Sequence, residues 1–183
     1  MVMSSSGAAP GELELVRAFV NTLDVENGID ELSDPRALGA WLRERGLPGG
    51  GAVTRSDLDE ARRLREALRA LMLANNGLSV RKDAALTLNR AASRAGLGVR
   101  FEPGGTSRLE PTARGAAGAL GRLLASVSAA MADGSWKRLK ACRAADCRWA
   151  FYDHARNRSR HWCSMAVCGN RTKARAYRAR RAR

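Results

Sequence analysis

Four cysteines constrain this chain more than any other feature. They read Cys142-x4-Cys147 and Cys163-x4-Cys168, with 15 residues (148 to 162) between the pairs and no cysteine elsewhere. Two close pairs separated by a short span suit one tetrahedral zinc ion, each pair giving two thiolates. A gap of four lies at the wide end of the usual ligand spacing. Cys142, Cys147, Cys163 and Cys168 are therefore the expected ligands of one Zn2+. His154 and His161 lie between the pairs, but four thiolates already complete a structural site, so both read as polar surface or phosphate-contact groups. A catalytic zinc needs an open position beside an acid or base, and Asp146 and Asp153 are the only carboxylates nearby. The expectation is a structural metal and no enzyme.

The charge around these cysteines is one-sided. Residues 136 to 183 hold 15 Lys/Arg and 2 Asp/Glu, whereas residues 1 to 135 hold 17 and 16. Nearly all of the net charge of +14 thus sits in the last quarter, which argues for two modules and for a polyanionic partner. Six of the nine aromatics also fall there: Trp136, Trp149, Phe151, Tyr152, Trp162 and Tyr177. So short a segment cannot bury enough surface alone, so a metal is its expected staple. Trp149, Phe151 and Trp162 are read as a small core beside it; base stacking is the other use of such rings, and Tyr152 and Tyr177 are open to either.

No stretch approaches the ~20 apolar residues that cross a bilayer, so no membrane role is expected. The start, MVMSSSGAAPGE, lacks the charged and apolar regions of a secretory signal. The expected compartment is the cytoplasm, where clustered thiols serve metals better than disulfides.

Residues 1 to 10 read as disordered. From 11 to 134 the periodicity predicts a helical module. Leu13, Val16, Phe19, Val20 and Leu23 mark a first helix. Asn21, Thr22 and Asp24 at its end have two readings, local capping groups or a ligand pocket for a small-molecule effector, and capping is the commoner. Ser33, Pro35 and Gly46 frame a second helix bearing Leu38, Trp41 and Leu42, and Gly49 to Gly51 a loop. Thr54 and Asp57 form a capping box for a third, running to about Asn75 with Leu58, Ala61, Leu64, Leu68 and Leu71 inward. Its Arg62, Arg63, Arg65 and Arg69 read as a solvated, internally paired face. Ser79 caps a fourth helix to Arg94, with Leu86, Leu88 and Ala92 inward. Val99 to Glu102 and Ser107 to Glu110 predict a hairpin across Pro103-Gly104-Gly105. A fifth helix spans 113 to 132, with Gly115, Gly118 and Gly121 allowing close approach of a neighbour.

Residues 135 to 183 read as a strand (137 to 141), a cysteine turn, a second strand (148 to 153), a loop, a return strand (160 to 162), and a helix from near Cys168. This is a treble-clef-like finger, and the fold class is α+β, mostly helical. Arg156, Arg158 and Arg160 alternate in the loop, and Arg171, Arg175 and Arg178 repeat on one helix face, with Lys173 broadening it. These are candidate phosphate contacts, and Asn170 and Arg171 are candidate base readers.

Trp162-Cys163-Ser164-Met165 followed by Cys168-Gly169-Asn170-Arg171 resembles the signature of the CGNR zinc-finger family. Arg156 to Arg160 matches that family's basic loop, and Cys142 and Cys147 its first ligand pair. Phe19-Val20-Asn21-Thr22-Leu23-Asp24 is similar to the ABATE domain that accompanies this finger in bacterial proteins. The resemblance implies a stress-induced transcription regulator whose finger binds DNA and whose front module senses or interacts. RNA or ribosome binding is the alternative, since charge and aromatics serve either polymer. Two half-sites would imply a homodimer, although no dimer seam is visible in the sequence.

Overall fold

The computed structural model describes residues 7–47, 51–79 and 82–181. The fold is α+β and mostly helical. Its central element is α3 (Arg55–Asn75), which packs against α1 (Leu13–Val20), α2 (Pro35–Glu44), α4 (Lys82–Ala95) and α5 (Gly115–Ala132). Local chemistry sets its ends. Thr54 Oγ1 accepts from Asp57 N at 3.2 Å and Asp57 Oδ2 accepts from Thr54 N at 2.9 Å, a capping box built with Asp. At the other end Gly77 takes a left-handed φ of 81°, and Leu78 N returns to Leu73 O at 3.1 Å.

The apolar stripes meet as expected. Val16, Phe19 and Val20 of α1, Leu38 and Leu42 of α2, Leu58, Leu64 and Leu68 of α3, and Leu123 of α5 are all buried in one core. Each such side chain contributes about 1.5–3 kcal/mol of transfer free energy. Phe19 and Trp41 meet edge to face at 5.4 Å. Gly121 permits a close crossing: a Cβ there would lie 2.6 Å from Ala95 Cβ and 2.9 Å from Pro111 Cβ. By length and composition α5 could cross a membrane, contrary to expectation, but 56% of it is buried, as in a core helix.

Among the described residues, three two-stranded antiparallel ladders complete the fold. The predicted hairpin pairs β3 (Leu97–Phe101) with β4 (Ser107–Pro111). The other two are β1 (Leu23–Asp24) with β2 (Ile29–Asp30), and β5 (Leu139–Ala141) with β6 (Ala150–Tyr152).

Several expectations shift. The first helix stops at Val20, because Leu23 and Asp24 pair across the turn with Asp30 and Ile29. Asp34, not Ser33, caps α2, accepting from Ala37 N at 2.9 Å. Leu86 is 68% exposed; α4 turns Ala84, Ala91 and Ala95 inward. Arg65 and Arg69 are not solvated: they are 3% and 4% exposed. The expected disordered start falls partly on residues 1 to 6, outside the described residues, as do Gly49, Gly50 and the approach to α4 after Ser79. Gly7 to Pro10 lies against the body instead, with Ala9 buried and its N–H donated to Glu14 Oε2 at 2.7 Å.

Candidate metal centre and basic surface

Two tight turns bring the cysteines together. Beyond β5, Cys142 N donates to Trp149 O at 2.9 Å, and Cys147 N and Arg148 N both donate to Ala144 O. Arg148 adopts a left-handed φ of 55° as the chain turns back into β6. The second turn is a π-type turn, Met165–Gly169, capped by Ser164 Oγ accepting from Val167 N at 3.3 Å. It leads into α6 (Asn170–Arg181), slightly later than the start near Cys168 that the sequence suggested. The expected return strand at 160 to 162 is absent, because no neighbouring strand pairs with it; His161 O instead accepts from Arg143 N and Asn76 Nδ2.

All four cysteines are buried and free, and their sulfurs lie within 4.8 Å of one another. Cys147 and Cys163 are 3.6 Å apart, Cys163 and Cys168 3.7 Å. A disulfide would need ~2.05 Å. Four sulfurs at ~2.3 Å around zinc would be ~3.8 Å apart, so the spacing fits a tetrahedral metal site. Four thiolates leave no open position, which is the pattern of a structural centre. Without a cation the thiols cannot all ionise. Hydrogen bonds from Cys147 and Cys163 hold the Cys142 thiol far down, and donating them pushes Cys147 and Cys163 up. Phe151 is fully buried beside the sulfurs with Ala144, and Trp149 and Trp162 pack partly against them, as the sequence suggested.

The loop after β6 is organised by a residue that the sequence reading passed over. Lys140 is 3% exposed. Its ammonium donates to Asp153 Oδ2 at 2.8 Å, to Arg160 O at 3.2 Å, and to Arg158 O. Asp153 is fully buried and also accepts from Ala155 N and Arg160 N, each at 3.0 Å. Burial opposes its charge, but the Lys140 contact and these N–H groups prevail and hold its carboxyl below the usual range. Arg138 closes the loop base, donating to Asp153 O and Ala155 O at 2.9 Å. A lysine between Leu139 and Ala141 in a short strand, with an aspartate at the end of the next, was the available signal.

The finger and the front module share a seam. Trp136, Leu139, Ala141, Ala150 and Tyr152 belong to the same buried cluster as Phe19 and Leu68. Asparagines stitch the backbones. Asn21 Nδ2 donates to Ala150 O at 2.9 Å, and its Oδ1 accepts from Ala150 N at 2.7 Å. Asn75 donates to Trp136 O and Leu139 O; Asn76 donates to Ala141 O and His161 O, and its Oδ1 meets His161 Nδ1 at 2.9 Å. Asn21, Thr22 and Asp24, the residues with the capping and effector-pocket readings, all make contacts within the fold. Thr22 bonds to Phe19 O and Arg65, and Asp24 binds Asn27, so their polar atoms serve the fold. His154 faces the N-terminal strap, its Nε2 3.2 Å from Ala8 O.

The candidate phosphate contacts separate into two groups. Arg156, Arg158, Lys173 and Arg178 are exposed, with no acidic partner in ion-pair range among the described residues. Asn170 is exposed and its amide returns to Ala166 O at 3.2 Å. The other three are engaged. Arg160 donates to Cys163 O at 2.7 Å and lies over the Phe151 ring. Arg171 bonds Glu26 at 2.7 Å and Cys168 Sγ at 3.6 Å, and Arg175 bonds Asp146 at 2.8 Å.

Comparison with known families agrees with this layout. Residues 138–181 match the family model described as CGNR zinc finger. Residues 13–134 match ABATE, described as "Putative stress-induced transcription regulator". No curated protein matches the chain. The ABATE match covers well over half of the sequence, so the chain belongs to the ABATE family, with a CGNR zinc finger following its front module.

Proposed function

We propose that the protein is a cytoplasmic transcription regulator that binds DNA through a finger folded around one Zn2+ at Cys142, Cys147, Cys163 and Cys168. The family description supports a regulator, and the four-sulfur cluster supports the metal. One observation carries the DNA reading. The loop after β6 is tied down from inside by Lys140, Asp153 and Arg138, yet turns Arg156 and Arg158 outward with no acid beside them among the described residues. A cation held in place that has no partner of its own suits a phosphate. Lys173 and Arg178 on α6 extend the surface. Asn170 stays a candidate base reader, whereas Arg160 and Arg175 are engaged inside the finger and Arg171 by Glu26 and Cys168. Structured RNA is the alternative, favoured by the exposed Tyr177, which offers a stacking face.

Binding of random-sequence duplex DNA, followed by fluorescence anisotropy across a salt series, tests this. Changing Arg156, Arg158, Lys173 and Arg178 together to Ala should flatten the slope of log K against log salt by about 3 to 4. An unchanged slope excludes this surface. Structured RNA displacing the duplex at equal concentration would move the function to RNA.

A further inference from the structure

Four thiolates around a divalent ion form a doubly negative unit, and burying it costs free energy unless cations lie close by. Two guanidiniums are placed to do this. Arg171 lies on α6, and its Nη2 is 3.6 Å from Cys168 Sγ. Arg69 comes from α3 of the front module. It is 4% exposed, and its Nη1 donates to Arg148 O, the carbonyl of the residue that follows Cys147, at 2.8 Å. Its Nη2 donates to Val20 O at 2.8 Å and Leu23 O at 3.3 Å, and its Nε to Glu66 Oε2 at 3.1 Å, so the fork is fixed on every side. Glu66 also accepts from Arg65, so that single half-exposed carboxylate is shared between two buried guanidiniums. Burial pulls the Arg69 guanidinium down, and Glu66 and the Cys147 sulfur both act against that pull.

We propose that Arg69 and Arg171 are positioning residues of the metal centre: Arg69 beside Cys147 and Arg171 beside Cys168 offset the charge of the four thiolates, so that the front module supplies part of the metal's binding energy. The proposal rests on the zinc reading above. Neither residue ligates the ion. Arg171 acts through the Cys168 sulfur and Arg69 through the carbonyl of the residue after Cys147, and outer-layer partners of this kind typically change metal affinity 10- to 100-fold. Arg65 provides the internal comparison. It lies one turn earlier on α3 and is equally buried, but it bonds Asp30 at 2.6 and 3.0 Å and Thr22 at 3.1 Å, away from the cysteines.

The test is competition for Zn2+ between the full chain and a chromophoric chelator, with thermal unfolding of each zinc-loaded variant measured alongside. Arg69→Gln should weaken zinc binding about tenfold or more. Arg65→Gln should lower the unfolding temperature yet leave zinc affinity at the wild-type value. Arg69→Lys, which keeps the charge but loses the fork, should bind zinc nearly as well as wild type. Arg171→Gln, at a part-exposed position on α6, should lose about tenfold. Equal zinc affinity in Arg69→Gln and wild type overturns the role of Arg69. So does a loss in Arg69→Lys as large as in Arg69→Gln, which would mark a scaffold of hydrogen bonds. If Arg69→Gln does not fold, Arg69→Lys and Arg171→Gln decide alone, and unchanged zinc binding in Arg171→Gln removes the outer cation. A wild-type chain that binds no zinc at all would overturn the metal reading itself, which separates the two failures.

Discussion

The front module and the finger reach a folded state by different means. In the front module, Phe19, Leu38, Leu64, Leu68 and Leu123 are buried by helix packing, and its polar contacts join helix caps to two buried guanidiniums, Arg65 on Asp30 and Arg69 on Val20 O. In the finger, the buried side chains around the sulfurs are Phe151 and Ala144, and the work of burial passes to four thiols and one lysine–aspartate pair. The seam belongs to neither alone. Leu139 and Tyr152 enter the front module's core, while Asn21, Asn75 and Asn76 of the front module satisfy the finger's backbone. A small domain can therefore be part metal-stapled and part an added layer on a larger core.

The contrast can be broken most strongly at the metal. Cys163→Ser should reduce bound zinc from one equivalent to none and unfold the turn and loop from 154 to 169, since ligation free energy is folding free energy. Hydrogen exchange should show β5 and β6 still protected, because the front module holds them. Loss of protection throughout 139 to 152 would mean that the seam depends on the metal.

Lys140→Met comes next. It leaves a fully buried carboxylate without its counter-ion and should cost about 3–5 kcal/mol, read by urea unfolding at saturating zinc. The pH dependence has a defined sign. Asp153 is held below its usual range in the folded state, so its contribution is present in full above ~4 and disappears as pH falls through the folded value. The Lys140→Met deficit should therefore shrink on acidification. A deficit independent of pH would show that packing, not charge, was lost.

Asn76→Ala should cost about 2–3 kcal/mol, by orphaning Ala141 O and leaving His161 O with Arg143 N alone at the seam. A smaller value would indicate water replacing the amide. The smallest effect belongs to Leu86→Ser, expected within about 0.5 kcal/mol in the same unfolding assay because the side chain is exposed.

The sequence was most legible where one local rule decides. The cysteine pairs, the Thr54–Asp57 box and the Val99–Leu109 hairpin all follow from spacing and turn chemistry, and the structure has each of them. It was least legible where a polar residue is turned inward by a distant partner. Arg65 and Arg69 look like a surface face because acids lie near them in the chain. Asp30, Val20 O and Arg148 O, which actually receive them, are 35, 49 and 79 residues away. Asn75 and Asn76 read as ordinary helix-end residues for the same reason. The arginine repeat on α6 was visible, but Glu26 and Asp146, which engage two of its members, belong to other turns.

The shared core carries a mechanical consequence. With Ala150 and Tyr152 fastened to the body that holds Phe19, the finger has no freedom to swivel like a bead on a string. Whatever the finger touches, the front module arrives with it in one fixed orientation.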